Sequence, residues 1–180
     1  MQEKSKPYIL AIDPGNEQSA FCLCSPDLEP LQFGKYQNRH GDEFISEVIH
    51  ALRQEGLCVM DTVIVIENIE SFGMPVGRSI LDTCIYIGEL KREFEGRGFD
   101  VEFVFRHEEK MTICHSARAN DATIKQALID RFAPNTSNYG KGNKKQKGFF
   151  YGFKADCWSA FAQAVTYHDK YLGKIEGDQK

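Results

Sequence analysis

Three carboxylates stand where carboxylates are costly. Asp13 ends the apolar run Tyr8-Ile9-Leu10-Ala11-Ile12, and Glu67 ends the run Val63-Ile64-Val65-Ile66. Asp156 falls in the first turn expected of the last helix, just before Trp158 and a series of small residues. A charge at the end of a buried strand must be compensated, and a hydrogen-bonded turn or a divalent metal ion would do so. For Asp13 the local alternative is a turn, because Pro14 and Gly15 follow and the carboxylate can accept backbone N–H bonds. For Asp156 it is a favourable charge at a helix N-terminus. Taken together, the three acids suggest a cluster at the strand ends of an open α/β sheet, where such sheets bind ligands. Oxygen-only ligands suit Mg²⁺ or Mn²⁺ rather than zinc.

A second feature lies just upstream of Asp156. Residues 131–155 hold six basic residues and no acid, so this stretch is +6 and the rest of a chain of net charge −4 is −10. Lys141, Lys144, Lys145 and Lys147 alternate with Gly140, Gly142 and Gly148, and Phe149-Phe150-Tyr151-Gly152-Phe153 follows. Lysines on a glycine-rich loop can follow phosphates, and neighbouring aromatics can stack on unpaired bases. The competing reading is a solvated loop whose phenylalanines pack on the core.

The elements that must position these residues follow from apolar periodicity and turn chemistry. Strands are expected at Tyr8–Asp13, Ser19–Ser25, Leu31–Tyr36, Val63–Glu67 and Val101–Phe105. Helices are expected at His40–Gln54, Ser79–Phe94, Asn120–Phe132 and Ala155–Tyr171, with Asn120 or Asp121 as a cap and Pro134 as a stop. Three strands in a meander and then α/β crossovers predict a five-stranded mixed sheet, antiparallel then parallel, flanked by helices. Residues 1–172 read as one domain with a flexible basic loop at 134–152, and 173–180 as a loose tail.

Composition sets the outer bounds. The 180 residues are 42% hydrophobic and 27% charged, an ordinary globular balance that excludes a disordered chain. No apolar run approaches the roughly 20 residues of a membrane span, and the N-terminal stretch is not a secretory signal. The six cysteines contain no C-x-x-C pair and read as buried thiols of a reducing cytoplasm.

These residues resemble a family. Ile12-Asp13-Pro14-Gly15, then Val65-Ile66-Glu67, then Asp156-Cys-Trp-Ser-Ala-Phe-Ala-Gln-Ala-Val-Thr are similar, in order and spacing, to the RuvC-type Holliday junction resolvases of the RNase H-like superfamily. The resemblance runs from Tyr8 to His168. It implies an RNase H-like fold and a structure-selective DNA endonuclease that resolves four-way junctions by paired nicks. It implies Asp13, Glu67 and Asp156 as metal ligands and catalytic acids, two Mg²⁺ or Mn²⁺ ions, and 5′-phosphate and 3′-hydroxyl products. The family's final helix has D-x-x-D. Aligned on Ala160, Ala162 and Ala164, Asp156 takes its first acid and Ser159 its second; aligned the other way, Phe153 takes the first. Either way one acid of four is absent, and a water, Ser159 or an acid from elsewhere such as Asp121 is expected in its place. The family also places an aromatic after the second-strand acid, and Phe72 is the matching candidate for DNA contact.

The resemblance further implies a C2 homodimer, for which the exposed aliphatic positions of helix Ser79–Phe94 are the expected interface. Compact size and the missing acid suggest a phage or prophage-like branch acting on branched DNA in the cytoplasm of a bacterial or phage-infected cell, with no membrane role. Two rivals stand beside it: a catalytically degenerate nucleic-acid-binding module, and an RNase H-like nuclease acting on RNA or an RNA–DNA hybrid. An actin-like ATPase needs two lobes and a second phosphate loop, which 180 residues do not supply.

Overall fold

The protein is described by a computed structural model covering residues 6–38, 43–71, 73 and 75–173. Phe72, the start expected for the first helix at His40–Asp42, and the tail beyond Gly173 lie outside the described residues.

Five strands form one sheet in the order β3-β2-β1-β4-β5. They are β1 (Tyr8–Asp13), β2 (Gln18–Cys24), β3 (Pro30–Gln37), β4 (Thr62–Asn68) and β5 (Asp100–Phe105). β1 pairs antiparallel with β2, and β2 with β3, which is the expected meander. β4 pairs parallel with β1 and β5 parallel with β4. The mixed sheet flanked by helices is therefore as the sequence implies. β1 and β4 are central, with both faces covered, which is why they read as unbroken apolar runs.

Alternation along the strands divides the core in two. Ile9, Ala11, Val63 and Val65 point into one layer, against α4 (Asp121–Phe132) and α5 (Ala155–Tyr167). Leu10, Ile12, Ile64 and Ile66 point into the other, against α1 (Glu43–Gln54) and α2 (Arg78–Gly96). Asp13 and Glu67 have the same parity as Ile9 and Val63. Both acids therefore belong to the α5 face, one step beyond the Ile12–Ile66 pair of the register. α5 is apolar nearly all round. Ala160, Phe161, Ala162, Ala164 and Val165 are fully buried, and the alanines let the helix lie close on β1 and β2.

The structure departs from expectation in three places. A further helix, α3 (Arg106–Cys114), follows β5 without any intervening turn. Its first turn is fixed by the Phe105 N–H, which donates to the Glu108 carboxylate at 2.9 Å, and it ends at His115 in the left-handed region (φ 52°). The last helix is α-helical only to Tyr167, after which His168–Leu172 widen into a π turn. The cysteines are free thiols, but only Cys22, Cys24 and Cys157 are buried; Cys58 and Cys84 are exposed. α4 is capped as expected, with the Asn120 side chain accepting from the Thr123 N–H at 3.0 Å.

The glycine-rich stretch 134–152 has a defined backbone. It contains a 3-10 turn at Asn138–Gly140 and a bridge between Gly142 and Lys147. Gly142 has φ 65°, and a Cβ there would stand 2.2 Å from the Gln146 carbonyl oxygen, so glycine is required. Phe150 and Phe153 are fully buried, and Phe149 stacks on Phe132. The core-packing reading of these aromatics therefore holds, and they are not free to stack on bases.

Candidate active site

Asp13 is delivered by β1 and Glu67 by β4, side by side on the face covered by α5. The Asp13-Pro14-Gly15 turn does not use the Asp13 carboxyl. Ser19 Oγ accepts from the Gly15 N–H at 3.2 Å, and Asn38 donates its amide to the Gly15 carbonyl at 2.6 Å. The Asp13 carboxyl instead lies near that of Glu67, whose charge favours the protonated form. Burial, then the charges of Glu67 and Asp156, push Asp13 up to about 7. Burial, then the charge of Glu109, push Glu67 up to about 7 as well.

Glu109 is the acid that sequence reasoning missed. It lies on α3, its side chain is 0% exposed, and burial pushes it up to about 7 against the opposing pull of Arg106. Arg106 Nη1 donates to Glu109 Oε1 at 2.5 Å, and its other nitrogen holds Asp121. Glu109 Oε2 is buried with no hydrogen-bond partner among the described residues. Of the sequence candidates for the absent fourth acid, Asp121 is exposed and tied to Arg106, and Ser159 lines the cleft; neither is buried as Glu109 is. Asp156 contributes charge to the cluster from the first turn of α5 and pairs with Lys35 of β3. Gln163, fully buried two turns further along α5, donates to Glu67 Oε2 at 2.9 Å and fixes that carboxyl's orientation.

A cleft of about 260 Å³ opens beside these acids, lined by Arg106, Glu109, Asp121, Lys125, Asp156 and Ser159 among others. A larger cavity of about 500 Å³ holds none of the acids from β1, β4 or α3, and the Arg131 that lines it is tied to Asp169 by two hydrogen bonds.

Among the described residues, no three His, Cys, Asp or Glu side chains stand at metal-ligand spacing. Lys35 and Arg106 compensate two of the acids in this conformation, Asp156 and Glu109. The donor set nevertheless suits a hard divalent cation, because it is all oxygen and short of positive charge: Asp13 and Glu67 retain protons near neutral pH, and one Glu109 oxygen is unpartnered. The residues that would hold such a cation are Asp13, Glu67, Glu109 and Asp156.

The raised carboxyls set the pH dependence of stability. The folded state keeps protons on Asp13, Glu67 and Glu109 to about pH 7. An unfolded chain releases its carboxyl protons near pH 4. Between those values the native state binds more protons, so stability falls as pH rises through the window. In EDTA, Asp13→Asn should therefore be more stable than the parent at pH 8, by on the order of 2 kcal/mol. The gain should vanish at pH 4 in thermal melts. Equal destabilisation at both pH values would instead make Asp13 a structural residue.

The sequence-derived DNA contacts are placed as follows. Lys144, Lys145 and Lys147 are exposed, with the Lys147 ammonium 5.1 Å from the Tyr151 ring centroid. Lys141 is half-buried, and its ammonium donates to the Phe153 carbonyl at 2.6 Å, so it pins the loop to the start of α5. α2 exposes Ile80, Leu81 and Ile85, the last at 63%. Among the described residues no helix is long and apolar enough to cross a membrane.

No family model matches this sequence, and no curated protein matches it. The fold does match solved structures. One is T. thermophilus RuvC in complex with a Holliday junction substrate, at 12% identity and a TM-score of 0.63, covering 94% of this chain and 96% of that one. Another is the Thermus thermophilus RuvC structure, at 11% identity and a TM-score of 0.59, with the same coverage. The likeness is one of fold: over 94% of its length this chain shares the architecture of these RuvC structures.

Proposed function

We propose that this protein is a divalent-cation-dependent endonuclease that cuts branched DNA and resolves four-way junctions by paired nicks. The observation that supports this most is the set of acids Asp13, Glu67 and the buried Glu109, with Asp156 beside them, at one end of the parallel strands of a RuvC-like sheet. Stability alone does not account for three carboxyls that titrate near neutrality in one place; functional sites do. Two Mg²⁺ or Mn²⁺ ions, when bound, would activate a water for in-line attack on phosphorus and neutralise the leaving 3′-oxygen. Asp13 sits between the other acids and is the residue suited to bridge. Gln163 keeps Glu67 from turning away, and Arg106 does the same for Glu109.

A junction has two-fold symmetry, so two matched nicks call for a C2 dimer. The exposed Ile80, Leu81 and Ile85 of α2 support an interface there. Compact size and the missing helix acid fit a phage or prophage-like branch, working in the cytoplasm of the host cell. Two observations favour a second reading, a binding module without cleavage: one acid of the resembled pattern is absent from the last helix, and Asp156 and Glu109 are already paired to Lys35 and Arg106. The two readings separate on a synthetic four-way junction incubated with Mg²⁺ or Mn²⁺ and, in parallel, with EDTA. Cation-dependent nicking supports the nuclease; binding with no nicking supports the module. Competition by duplex and RNA–DNA hybrid identifies the preferred substrate.

The lysine loop gives a separate expectation. Lys144, Lys145 and Lys147 project outward and can each neutralise a phosphate, whereas Lys141 is engaged by the Phe153 carbonyl. Replacing the three exposed lysines with alanine should flatten the log–log salt dependence of junction binding by up to about 3 units. Lys141→Ala should add little to that slope and should lower the melting temperature instead. An unchanged slope in the triple variant would move the DNA path away from this loop.

A further inference from the structure

Lys125, Tyr139 and Trp158 come from three different elements and meet beside the acids. Lys125 lies one turn into α4, Tyr139 in the 3-10 turn, and Trp158 near the start of α5. The Lys125 ammonium stands 4.6 Å from the Tyr139 ring centroid and 4.9 Å from that of Trp158. Among the described residues it makes no ion pair and no hydrogen bond, although its side chain lines the same cleft as Glu109, Asp121 and Asp156. A lysine in an acidic cleft is expected to pair with a carboxylate. This one is held between two rings and keeps its donors free.

Tyr139 is unusual in its own right. Its backbone is left-handed (φ 55°, ψ 33°), between Asn138 and Gly140, which are also at positive φ. A bulky side chain rarely adopts that conformation, and such positions cluster at functional sites. The turn is locked from behind. A Cβ on Gly140 would stand 2.5 Å from the Ala133 Cβ, and the Phe150 N–H donates to the Gly140 carbonyl at 3.0 Å. The tyrosine ring is nonetheless 59% exposed, so core packing does not explain it. Trp158, at 6% exposed, forms the inner wall.

We infer that Tyr139, Lys125 and Trp158 form a seat for one unstacked nucleotide next to the acid cluster, with Lys125 taking its phosphate and Tyr139 stacking on its base. A cation fixed over aromatic faces presents its free donors to an anion, and a rigidly displayed ring accepts any base face. The seat selects nucleic acid whose bases can leave the helix at the cut, such as the branch point of a junction, over intact duplex. This inference rests on the proposed function and names the feature of the substrate that the site reads.

The test uses a four-way junction carrying 2-aminopurine at the branch point or at a paired position, titrated in EDTA so that cleavage plays no part. The parent protein should change emission at the branch point and leave the paired position nearly unaffected. Tyr139→Ala should lose at least half of that change, and Tyr139→Phe should keep it. Lys125→Met should weaken junction binding about five- to tenfold and flatten the salt slope by about one phosphate, roughly 0.9. Lys125→Arg should restore most of both, and thermal melts should show every variant folded. Junction binding with an emission change indifferent to Tyr139, or a salt slope indifferent to Lys125, would overturn the seat and leave the nuclease proposal standing. A parent protein that binds no junction at all would overturn both.

Discussion

Asp13→Asn should reduce junction nicking by roughly three orders of magnitude, about 4 kcal/mol of transition-state stabilisation, while junction binding in EDTA changes less than about threefold. Asparagine keeps the shape of the side chain but cannot supply the anionic oxygens that a bridging position between two cations requires. Binding should survive because the proposed phosphate contacts are lysines on other elements. Glu67→Gln should behave alike, since Glu67 occupies the neighbouring strand end and, like Asp13, is pushed up to about 7. Glu109→Gln and Gln163→Leu should have smaller effects, about 10- to 100-fold, as expected of residues that complete or orient a metal shell. The check is single-turnover cleavage over a range of Mn²⁺ concentrations. Near-parental activity in Asp13→Asn would remove this residue, and the cluster around it, from the chemistry.

Arg106→Ala should be among the most destabilising single changes in the protein, by about 3 kcal/mol at pH 8. Arg106 compensates Glu109, whose side chain is wholly buried, through the 2.5 Å hydrogen bond to Oε1. Without it Glu109 loses both its donor and its compensating charge and must take up a proton to stay buried, so the ion pair and a buried hydrogen bond are lost together. The melting temperature should fall by roughly 10 °C. Glu109 titrates near 7 even beside Arg106, so below pH 5.5 it is neutral and the loss should shrink to the packing contribution of the arginine stem. The double variant Arg106→Met with Glu109→Gln should recover most of the stability at pH 8, because neither partner then leaves a buried charge. An equal loss at pH 5 and pH 8, with no rescue, would show that Arg106 acts through packing alone.

What the sequence disclosed about the site depended on how each acid is framed. Asp13 and Glu67 interrupt unbroken apolar strands, so their cost is visible in one dimension. Asp156 stands at a helix start ahead of alanines that must lie against a sheet. Glu109 has no such frame. It is inside Arg-His-Glu-Glu-Lys-Met-Thr-Ile-Cys, a helix too polar to show an apolar stripe, entered from β5 without a turn residue and ended by His115 rather than a glycine. The strand-end rule that exposed Asp13 and Glu67 would have reached it if extended one turn past the third parallel strand. Gln163 was hidden for a different reason: an amide in an alanine-rich helix looks solvent-facing until the helix proves to be buried on that side as well.

The basic loop shows the opposite failure. Its composition is that of a phosphate-tracking segment, and Lys144, Lys145 and Lys147 are exposed as such a role requires. The same composition also hides a packing unit, in which Phe150 and Phe153 enter the core beside Trp158 and Lys141 serves the backbone. One-dimensional patterning cannot separate these, because glycine, lysine and phenylalanine have no fixed period when the chain turns through several left-handed residues. The sheet was more legible: alternation and β-branched runs fix which residues pair, and the meander followed by crossovers leaves few topologies open.

The most direct test of the nuclease proposal is the fate of a four-way junction labelled on opposing strands and incubated with the full-length protein and Mn²⁺. The account predicts two symmetric nicks that appear together, release nicked duplexes that DNA ligase can seal, and disappear when EDTA is added or Asp13 is replaced by asparagine. Binding of the junction without any nick, or nicks that persist in EDTA, would contradict it.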